Sequence, residues 1–275
     1  RRLMIIVNGQ QHSQIDVTDR GLSYGDGLFE TLKVQNGRPK LWQMHIERLR
    51  SGCNRLQIPL PDLAALRRDV DTVINNSGAN LVLKLLVTRG SGQRGYAYSG
   101  TETPTVIVMS APEYRVDASD YQQGVRAIIC QTRLSHNAKL AGIKHLNRLE
   151  QVLARAEWRD PLIREGIMLD DTGFVIEGTM SNILIEKQGV LYTPQLSRAG
   201  VCGVMRRKVI ETLHAEHLPV CVKDITAAEL LAADAVAICN ALLGVMPLSQ
   251  IDNTVFSVSP LLTELVAKRL QDADA

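Results

Sequence analysis

Alternating apolar and polar residues predict strands at the start of the chain. The runs 4–7 and 28–34 both lead into Asn-Gly pairs, at 8–9 and 36–37, which are typical of β-hairpin turns. Apolar residues at helical spacing predict helices over 42–56 and 62–74, the second capped by Asp62. Apolar runs at 81–88 and 105–110 predict two more strands. Residues 1–110 are therefore predicted to form a small N-terminal α+β domain.

The second part of the chain alternates strands and helices around a different core. A polar segment with one proline, residues 111–120, is the predicted linker. Strands are predicted over 125–131, 166–170, 174–176, 182–186 and 235–239, and helices over 149–157, 204–214 and 260–270. A capping box, Thr226-Ala227-Ala228-Glu229, predicts the start of another helix. Residues 121–275 are predicted to form a larger C-terminal domain, which gives a mixed α+β and α/β chain.

Composition narrows the class of protein. The 275 residues are 45% hydrophobic and 22% charged with a net charge of +2, as in an ordinary soluble enzyme, and no long basic run predicts a nucleic-acid partner. No apolar stretch reaches the roughly 18 residues of a membrane span, and no signal-peptide pattern precedes Met4, so no membrane partner is expected. Five cysteines without a C-x-x-C pair predict free thiols in the cytoplasm. His214 and His217 lack a third partner, so no metal site is predicted.

A glycine-rich loop at residues 90–95 imitates a dinucleotide-binding motif. Its G-x-G-x-x-G pattern follows a strand, but the dinucleotide interpretation requires a helix to begin there, and the chain runs into another strand instead. We expect a flexible basic clamp that carries Arg89 and Arg94, which can pair with carboxylates in two-point contact. A plain surface hairpin is the alternative.

One lysine and one acid have the chemistry that pyridoxal phosphate requires. Lys144 lies before a helical run and can form the Schiff base, while Glu177 on an apolar strand can keep the pyridine nitrogen protonated. Taken singly, such a lysine is more typical of a solvated surface position and such an acid of the exposed face of a strand, so the assignment depends on the full set of residues.

Three segments are candidates for the cofactor phosphate. Arg48 offers a bidentate guanidinium, and Gly203-Val204-Met205 opens a helix whose backbone N–H groups can hold an anion. Asn240-Ala241 follows a buried strand at its carboxyl end, although Asn240 alone is also typical of a turn.

The candidate cofactor residues belong to a series of short motifs between residue 5 and about residue 250. They are Asp19-Arg20-Gly21-Leu22, Tyr24-Gly25-Asp26-Gly27-Leu28-Phe29-Glu30-Thr31, His45-Ile46-Glu47-Arg48-Leu49, Lys144, Glu177-Gly178 with Ser181-Asn182, Gly203-Val204-Met205-Arg206 and Asn240-Ala241. In this content and order the chain resembles the fold-type IV pyridoxal-phosphate enzymes. The resemblance implies a two-domain fold with a larger C-terminal pseudo-barrel, bound pyridoxal phosphate, and a homodimer.

Two blocks resemble one branch of that family, the bacterial aminodeoxychorismate lyases. They are residues 89–96 and 140–153. The resemblance implies conversion of 4-amino-4-deoxychorismate to 4-aminobenzoate and pyruvate through an external aldimine, with Lys144 moving the proton and Arg89 and Arg94 binding substrate. Arg148 and Leu149 stand where branched-chain aminotransferases usually carry a tyrosine. A D-amino-acid or branched-chain aminotransferase is the alternative, and a non-enzymatic cofactor-binding protein is a third.

Overall fold

The computed structural model describes residues 3–262, and the chain divides into two compact units. The first comprises residues up to Arg115 together with Ile143–Asn147, and the second comprises Val116–Gly142 and the chain from Arg148 onward. The boundary after Arg115 falls inside the predicted linker 111–120. The sequence-based division placed everything beyond residue 120 in the second domain, whereas the short Lys144 segment belongs to the first unit. The predicted helix 260–270 lies mostly outside the described residues.

The first unit is an antiparallel sheet covered by helices. Its elements are β1 (Ile5–Val7), α1 (Arg20–Tyr24), β2 (Gly27–Gln35), β3 (Arg38–Pro39), α2 (Trp42–Leu56), α3 (Leu63–Ser77), β4 (Leu81–Thr88) and β5 (Thr105–Ala111), with the strands in the order β1-β5-β4-β2-β3. Helix α2 buries Ile46, Leu49 and Cys53, one apolar stripe at helical spacing, in the core of this unit. Asp62 caps α3, since its carboxylate accepts the N–H of Ala64 at 2.8 Å. These features match the predicted α+β pattern.

The second unit holds a larger mixed sheet. Its elements are α4 (Ala118–Gln123), β6 (Val125–Ile129), α5 (Leu149–Arg155), β7 (Ile163–Leu169), β8 (Val175–Gly178), β9 (Asn182–Lys187), β10 (Val190–Pro194), α6 (Val204–Ala215), β11 (Val220–Lys223), α7 (Ala227–Leu231), β12 (Ala235–Asn240), β13 (Gly244–Ile251) and β14 (Thr254–Val255). The strand order is β11-β10-β9-β12-β13-β6-β7-β8, with β14 beside β13. The predicted capping box is present, because the side chains of Thr226 and Glu229 cap each other's backbone.

This sheet curls until its two ends approach each other. The N–H of Val175, at the start of β8, donates to the carbonyl of Ile225 at 2.8 Å, and Phe174 forms a β-bridge with Thr226. Ile225 and Thr226 follow β11, which lies at the opposite end of the strand order. The predicted pseudo-barrel is thereby confirmed, and it places strands β8 and β9 around one buried interior. Within residues 3–262, no helix combines the length and apolar character needed to cross a membrane.

Candidate active site

Lys144 is held against strand β2 by backbone hydrogen bonds. The N–H of Phe29 donates to the carbonyl of Lys144 at 3.0 Å, and the N–H of Leu146 donates to the carbonyl of Gly27 at 3.0 Å. The lysine side chain is half-buried, with Nζ 4.3 Å from the centroid of the Phe29 ring. The predicted alternative of a fully solvated lysine does not describe this position. The ammonium or amine lies on an aromatic face, where its orientation is restricted.

Arg48 lies on α2 and is clamped by a buried acid that the sequence analysis did not single out. Its Nε donates to Oε1 of Glu30 at 2.8 Å, and its Nη2 donates to Oε2 at 2.5 Å. Nδ1 of His45 lies 2.6 Å from the same Oε2. Glu30 and His45 are both buried, and the Arg48 and His45 side chains hold the pKa of Glu30 at about 2 against the opposing effect of burial. The guanidinium is therefore fixed in one orientation.

Glu177 lies on β8 and is buried, with 4% of its surface exposed. Its Oε2 accepts the N–H of Val201 at 2.8 Å, and Oε1 lies 3.5 Å from Nε2 of Gln151. Burial lowers the pKa of nearby Arg148, while the charge of Glu177 opposes that shift. The expected solvent-facing alternative for this acid is excluded by its burial. One carboxylate oxygen is fixed by the backbone of the segment that precedes α6.

At the start of α6, the backbone at Gly203 packs closely on the side chain of Asn182. Asn182 donates from Nδ2 to the carbonyl of Val201 at 2.9 Å, and a Cβ added to Gly203 would lie 1.9 Å from Oδ1 of Asn182. Within the described part of the chain, no side chain caps the helix at Gly203, so the first backbone N–H groups, at Val204 and Met205, are not used by a cap. This twelve-residue helix thus presents uncapped donors and the positive end of its dipole.

The side chain of Asn240 is used within its own turn. Oδ1 accepts the N–H groups of Leu242 at 2.9 Å and Leu243 at 2.8 Å, and Nδ2 donates to the carbonyl of Met180 at 3.1 Å. This is the turn geometry that the sequence analysis kept as an alternative for Asn240. Ala241 is half-buried in the same turn. A cofactor contact from residues 240–241 would therefore involve backbone groups.

Arg89 and Arg94 differ in burial and in hydrogen bonding, although they lie only five residues apart. Arg89 is buried: it pairs with Asp26 through Nε at 2.7 Å and donates to the carbonyls of Leu56 and Gln57, each at 2.8 Å. These contacts give Arg89 a structural role in place of the substrate-docking role predicted for it. Arg94 is exposed, and no hydrogen bond or ion pair engages its side chain among residues 3–262.

Glu165 is a second buried acid that the sequence analysis overlooked. It is fully buried on β7, where Oε1 accepts from Thr179 Oγ1 at 2.5 Å and from the N–H of Thr179 at 3.0 Å. Its Oε2 accepts from Ser181 Oγ at 2.7 Å. Thr179 and Ser181 belong to the loop that joins β8 to β9, so Glu165 fixes the connection between Glu177 and Asn182. The available signal was its position on the apolar face of β7, beside Ile167.

Comparisons with known proteins place this geometry in a family. Residues 27–251 match the model of amino-transferase class IV. The chain belongs to this family. Its members depend on pyridoxal phosphate, which confirms the cofactor predicted from the sequence.

Individual relatives cover nearly the whole chain. The aminodeoxychorismate lyase of Vibrio harveyi is 41% identical over 251 residues, 90% of this chain and 91% of the relative. A putative branched-chain-amino-acid aminotransferase of Methanocaldococcus jannaschii is 32% identical, with coverage of 93% and 90%. Among solved structures, the 4-amino-4-deoxychorismate lyase of Pseudomonas aeruginosa superposes with a TM-score of 0.92 at 45% identity, covering 98% of both chains. The fold predicted from the sequence is confirmed.

The residues present fit the cofactor on structural grounds. A phosphate suits the start of α6, where no described side chain caps the backbone N–H groups of the first turn. A pyridinium nitrogen suits the carboxylate of Glu177, which is buried and has Oε2 fixed by the N–H of Val201. An aldehyde suits the half-buried amine of Lys144.

Proposed function

We propose that this protein is a pyridoxal-phosphate-dependent aminodeoxychorismate lyase, which converts 4-amino-4-deoxychorismate to 4-aminobenzoate and pyruvate. The observation that carries the proposal is the similarity, over nearly the whole chain, to relatives that bear this name, in both sequence and structure. The side chains at Lys144 and Glu177 supply the chemistry that the reaction needs.

Lys144 would perform the proton transfers. When bound, the cofactor withdraws electrons from the substrate carbon that carries the amine, which makes the proton on that carbon acidic. Nζ of Lys144 would remove this proton as a general base and deliver a proton to the departing enolpyruvyl group, which leaves as pyruvate. One proton moves, one carbon–oxygen bond breaks and the ring becomes aromatic. The stacking of Nζ on Phe29 keeps the amine in one place for both steps.

The remaining site residues would bind and orient. Glu177 would keep a proton on the pyridine nitrogen, with its own position fixed by the N–H of Val201. Arg48 and the N–H groups at Gly203, Val204 and Met205 would bind the phosphate. The backbone at Asn240 and Ala241 is proposed to contribute contacts near the same group.

Arg94 is the proposed contact for a substrate carboxylate. The substrate has two carboxylates, and Arg94 is an exposed arginine whose guanidinium is not engaged by another described residue. Arg89 was proposed for the same role, but its guanidinium is already shared among Asp26, Leu56 and Gln57. The proposal therefore retains Arg94 for the substrate and gives Arg89 the task of holding the loop.

An aminotransferase on the same scaffold is the second candidate, favoured by the 32% identity to a relative named as a putative branched-chain aminotransferase. Arg148, where such enzymes usually have a tyrosine, supports the lyase. The deciding experiment supplies enzymatically generated aminodeoxychorismate and follows 4-aminobenzoate by fluorescence. In parallel, D-alanine or a branched-chain amino acid is added, and the absorbance of the lysine-bound cofactor is followed. Release of 4-aminobenzoate without loss of that absorbance supports the lyase, whereas the reverse result supports the aminotransferase.

We also propose that the enzyme is a cytoplasmic homodimer that binds no nucleic acid. None of the five cysteines, all of which lie within residues 3–262, forms a disulfide, as expected in a reducing compartment. Helix α5 exposes three apolar side chains at helical spacing, Leu149, Val152 and Leu153, each at least 60% exposed. A second copy of the chain is the partner that we propose for this stripe. Sedimentation of the protein with Val152→Lys tests this: a monomer is expected, and an unchanged dimer would place the interface elsewhere.

A further inference from the structure

The guanidinium of Arg20 forms the centre of the loop that carries Arg94. We propose that Arg20 is a positioning residue for substrate binding: it fixes residues 90–98, here called the Arg94 loop, so that Arg94 is presented in one orientation. This inference rests on the proposed function, since it concerns the residue that would bind a carboxylate of the substrate. All the residues that carry it belong to the first unit.

Arg20 is buried, with 4% of its surface exposed, and its partners are backbone carbonyls of the loop. Nη1 donates to the carbonyl of Gly95 at 2.9 Å and to that of Ala97 at 3.2 Å, while Nη2 donates to the carbonyl of Tyr96 at 2.9 Å. Three consecutive carbonyls thus point at one cation. An arginine buried this deeply requires such partners, because an uncompensated charge in the interior is unfavourable.

Neighbouring groups hold Arg20 itself in place. Its Nε donates to Oδ2 of Asp26 at 3.0 Å, and its Cζ lies 5.0 Å from the centroid of the Tyr24 ring. The hydroxyl of Tyr24 accepts the N–H of Gly95 at 3.0 Å. At the start of the loop, a Cβ on Gly92 would lie 3.1 Å from Cδ of Arg20, so the backbone there packs directly on the arginine. The loop is therefore anchored at residues 95–97, at and directly after the end of the stretch 90–95 that the sequence analysis expected to be flexible.

The hydrogen bonds to Arg20 determine which side chains of the Arg94 loop are exposed. Because the carbonyls of residues 95–97 point inward to Arg20, the side chains next to them point away: Tyr96 is 85% exposed, and Arg94 is exposed. Arg94 immediately precedes the anchored stretch. A side chain on an ordered backbone loses less conformational entropy on binding than one on a mobile loop. Loss of Arg20 should therefore weaken substrate binding through Arg94 while leaving the chemistry at Lys144 intact.

Steady-state kinetics of 4-aminobenzoate release test the inference in the holoenzyme. The variants are Arg20→Gln, Arg94→Ala and the double variant. Arg20→Gln should raise KM about tenfold with kcat within about twofold, the pattern for a lost binding interaction that is present before and during reaction. Because Asp26 keeps Arg89 as a partner, this substitution leaves no unpaired acid. The double variant should have the KM of Arg94→Ala alone, since both changes remove the same contact.

Two controls separate positioning from general damage to the fold. Arg115→Gln removes an arginine of the same unit whose side chain is 85% exposed, and it should leave KM unchanged. Limited trypsin digestion of the holoenzyme, read by mass spectrometry, should show cleavage after Arg94 at least about fivefold faster in Arg20→Gln than in the unaltered protein. Arg20→Lys, which can reach fewer of the three carbonyls, should give an intermediate rate.

The outcomes are distinct. Multiplicative KM effects in the double variant, a fall in kcat without a change in KM, or unchanged cleavage after Arg94 would each overturn the positioning role. Failure of the unaltered protein to release 4-aminobenzoate would overturn the proposed function and, with it, a substrate role for Arg94. In that case the trypsin experiment alone would still decide whether Arg20 holds the loop.

Discussion

Glu30 and Arg48 join strand β2 to helix α2 through a two-point contact. Arg48 donates from Nε to Oε1 at 2.8 Å and from Nη2 to Oε2 at 2.5 Å, and the carboxylate is 1% exposed. Such a fork restricts the guanidinium to one plane. The proposed phosphate ligand is thereby oriented before any cofactor binds, and the acid that orients it lies in the apolar core of the first unit.

Replacing Glu30 by glutamine should weaken both the fold and the cofactor site. Removal of one partner from a buried ion pair leaves the other uncompensated, which costs about 3–5 kcal/mol of unfolding free energy. Arg48 also loses its fixed orientation, so we expect the dissociation constant for pyridoxal phosphate to rise about tenfold. Urea unfolding of the apoprotein measures the first effect and titration with the cofactor the second. The exposed neighbour Glu47→Gln is the control, and equal behaviour of the two variants would contradict the assignment.

His45 should make the fold sensitive to mild acid. Burial lowers the pKa of His45 from its ordinary value of 6.5 even though Glu30 opposes the shift. An unfolded chain then binds a proton more readily than the folded chain, so stability is lost as pH falls below about 6.5. Glu30 has a pKa of about 2 in the folded chain, against an ordinary 4.5. Its contribution to the free energy of unfolding is therefore lost only as pH falls between those two values, below the range in which His45 acts. Urea unfolding from about pH 8 to about pH 5.5 should show the unaltered protein losing stability faster than His45→Asn; parallel curves would exclude His45 as the cause.

The apolar pattern predicted the strands and helices that carry the candidate site. The same pattern also indicates that Glu30, an acid that the sequence analysis did not single out, lies on a buried face. Glu30 alternates with Leu28 and Leu32, all three at most 2% exposed, so a period of two residues put it on the buried face of β2. A charge on such a face needs a partner. The partners, Arg48 and His45, come from another element, and sequence spacing does not state which helix packs on which strand.

Other features depended on contacts between distant segments. The sequence analysis treated residues 90–95 as a flexible clamp, yet Arg20 donates to the carbonyls of Gly95, Tyr96 and Ala97, at least 75 positions further along the chain. Strands β10, β11 and β13 were not predicted. Strand β11 pairs with β10 across an intervening helix, which no local pattern states, whereas β10 and β13 each form a hairpin with the strand before them, a local signal that the sequence analysis overlooked. Lys144 and Glu177 were identified from their chemistry, whereas the division that places residues 143–147 with the first unit follows from hydrogen bonds to β2.

Lys144→Ala should abolish turnover while leaving the fold unchanged. Its side chain packs on Phe29 and does not belong to the apolar core cluster of its unit, whereas in the proposed function it provides the imine-forming amine and the proton transfers. We expect kcat to fall by at least about a thousandfold and the absorbance of bound pyridoxal phosphate to shift to that of the free aldehyde. Thermal unfolding of the apoprotein should change by no more than a few degrees. Substantial residual release of 4-aminobenzoate would refute the role of Lys144.

Glu165→Gln should disturb the loop that connects β8 to β9. The carboxylate accepts from three groups of that loop, the backbone and hydroxyl of Thr179 and the hydroxyl of Ser181. A glutamine amide presents two donors in place of one acceptor oxygen, so buried donors face each other at a cost of about 1–3 kcal/mol. The cofactor spectrum should also change, because Glu177 lies on β8 close to the start of this loop. Ser181→Ala, which removes one donor only, should cost about 1 kcal/mol; equal losses in both variants would contradict the proposed role.

Gly203→Ala should disturb the backbone at the start of α6, where the phosphate is proposed to bind. The added Cβ would lie 1.9 Å from Oδ1 of Asn182, well inside contact distance, so the Asn182 side chain must leave the hydrogen bond that it donates to Val201. The backbone angle of Gly203, φ −64°, is one that alanine adopts without strain, so the clash alone accounts for any loss. We expect the dissociation constant for pyridoxal phosphate to rise at least tenfold.

Adding Asn182→Ala removes the clashing amide, and the double variant should then bind the cofactor more tightly than Gly203→Ala alone. If the second substitution instead weakens binding further, Asn182 does not compete with residue 203 for space, and the phosphate is held elsewhere.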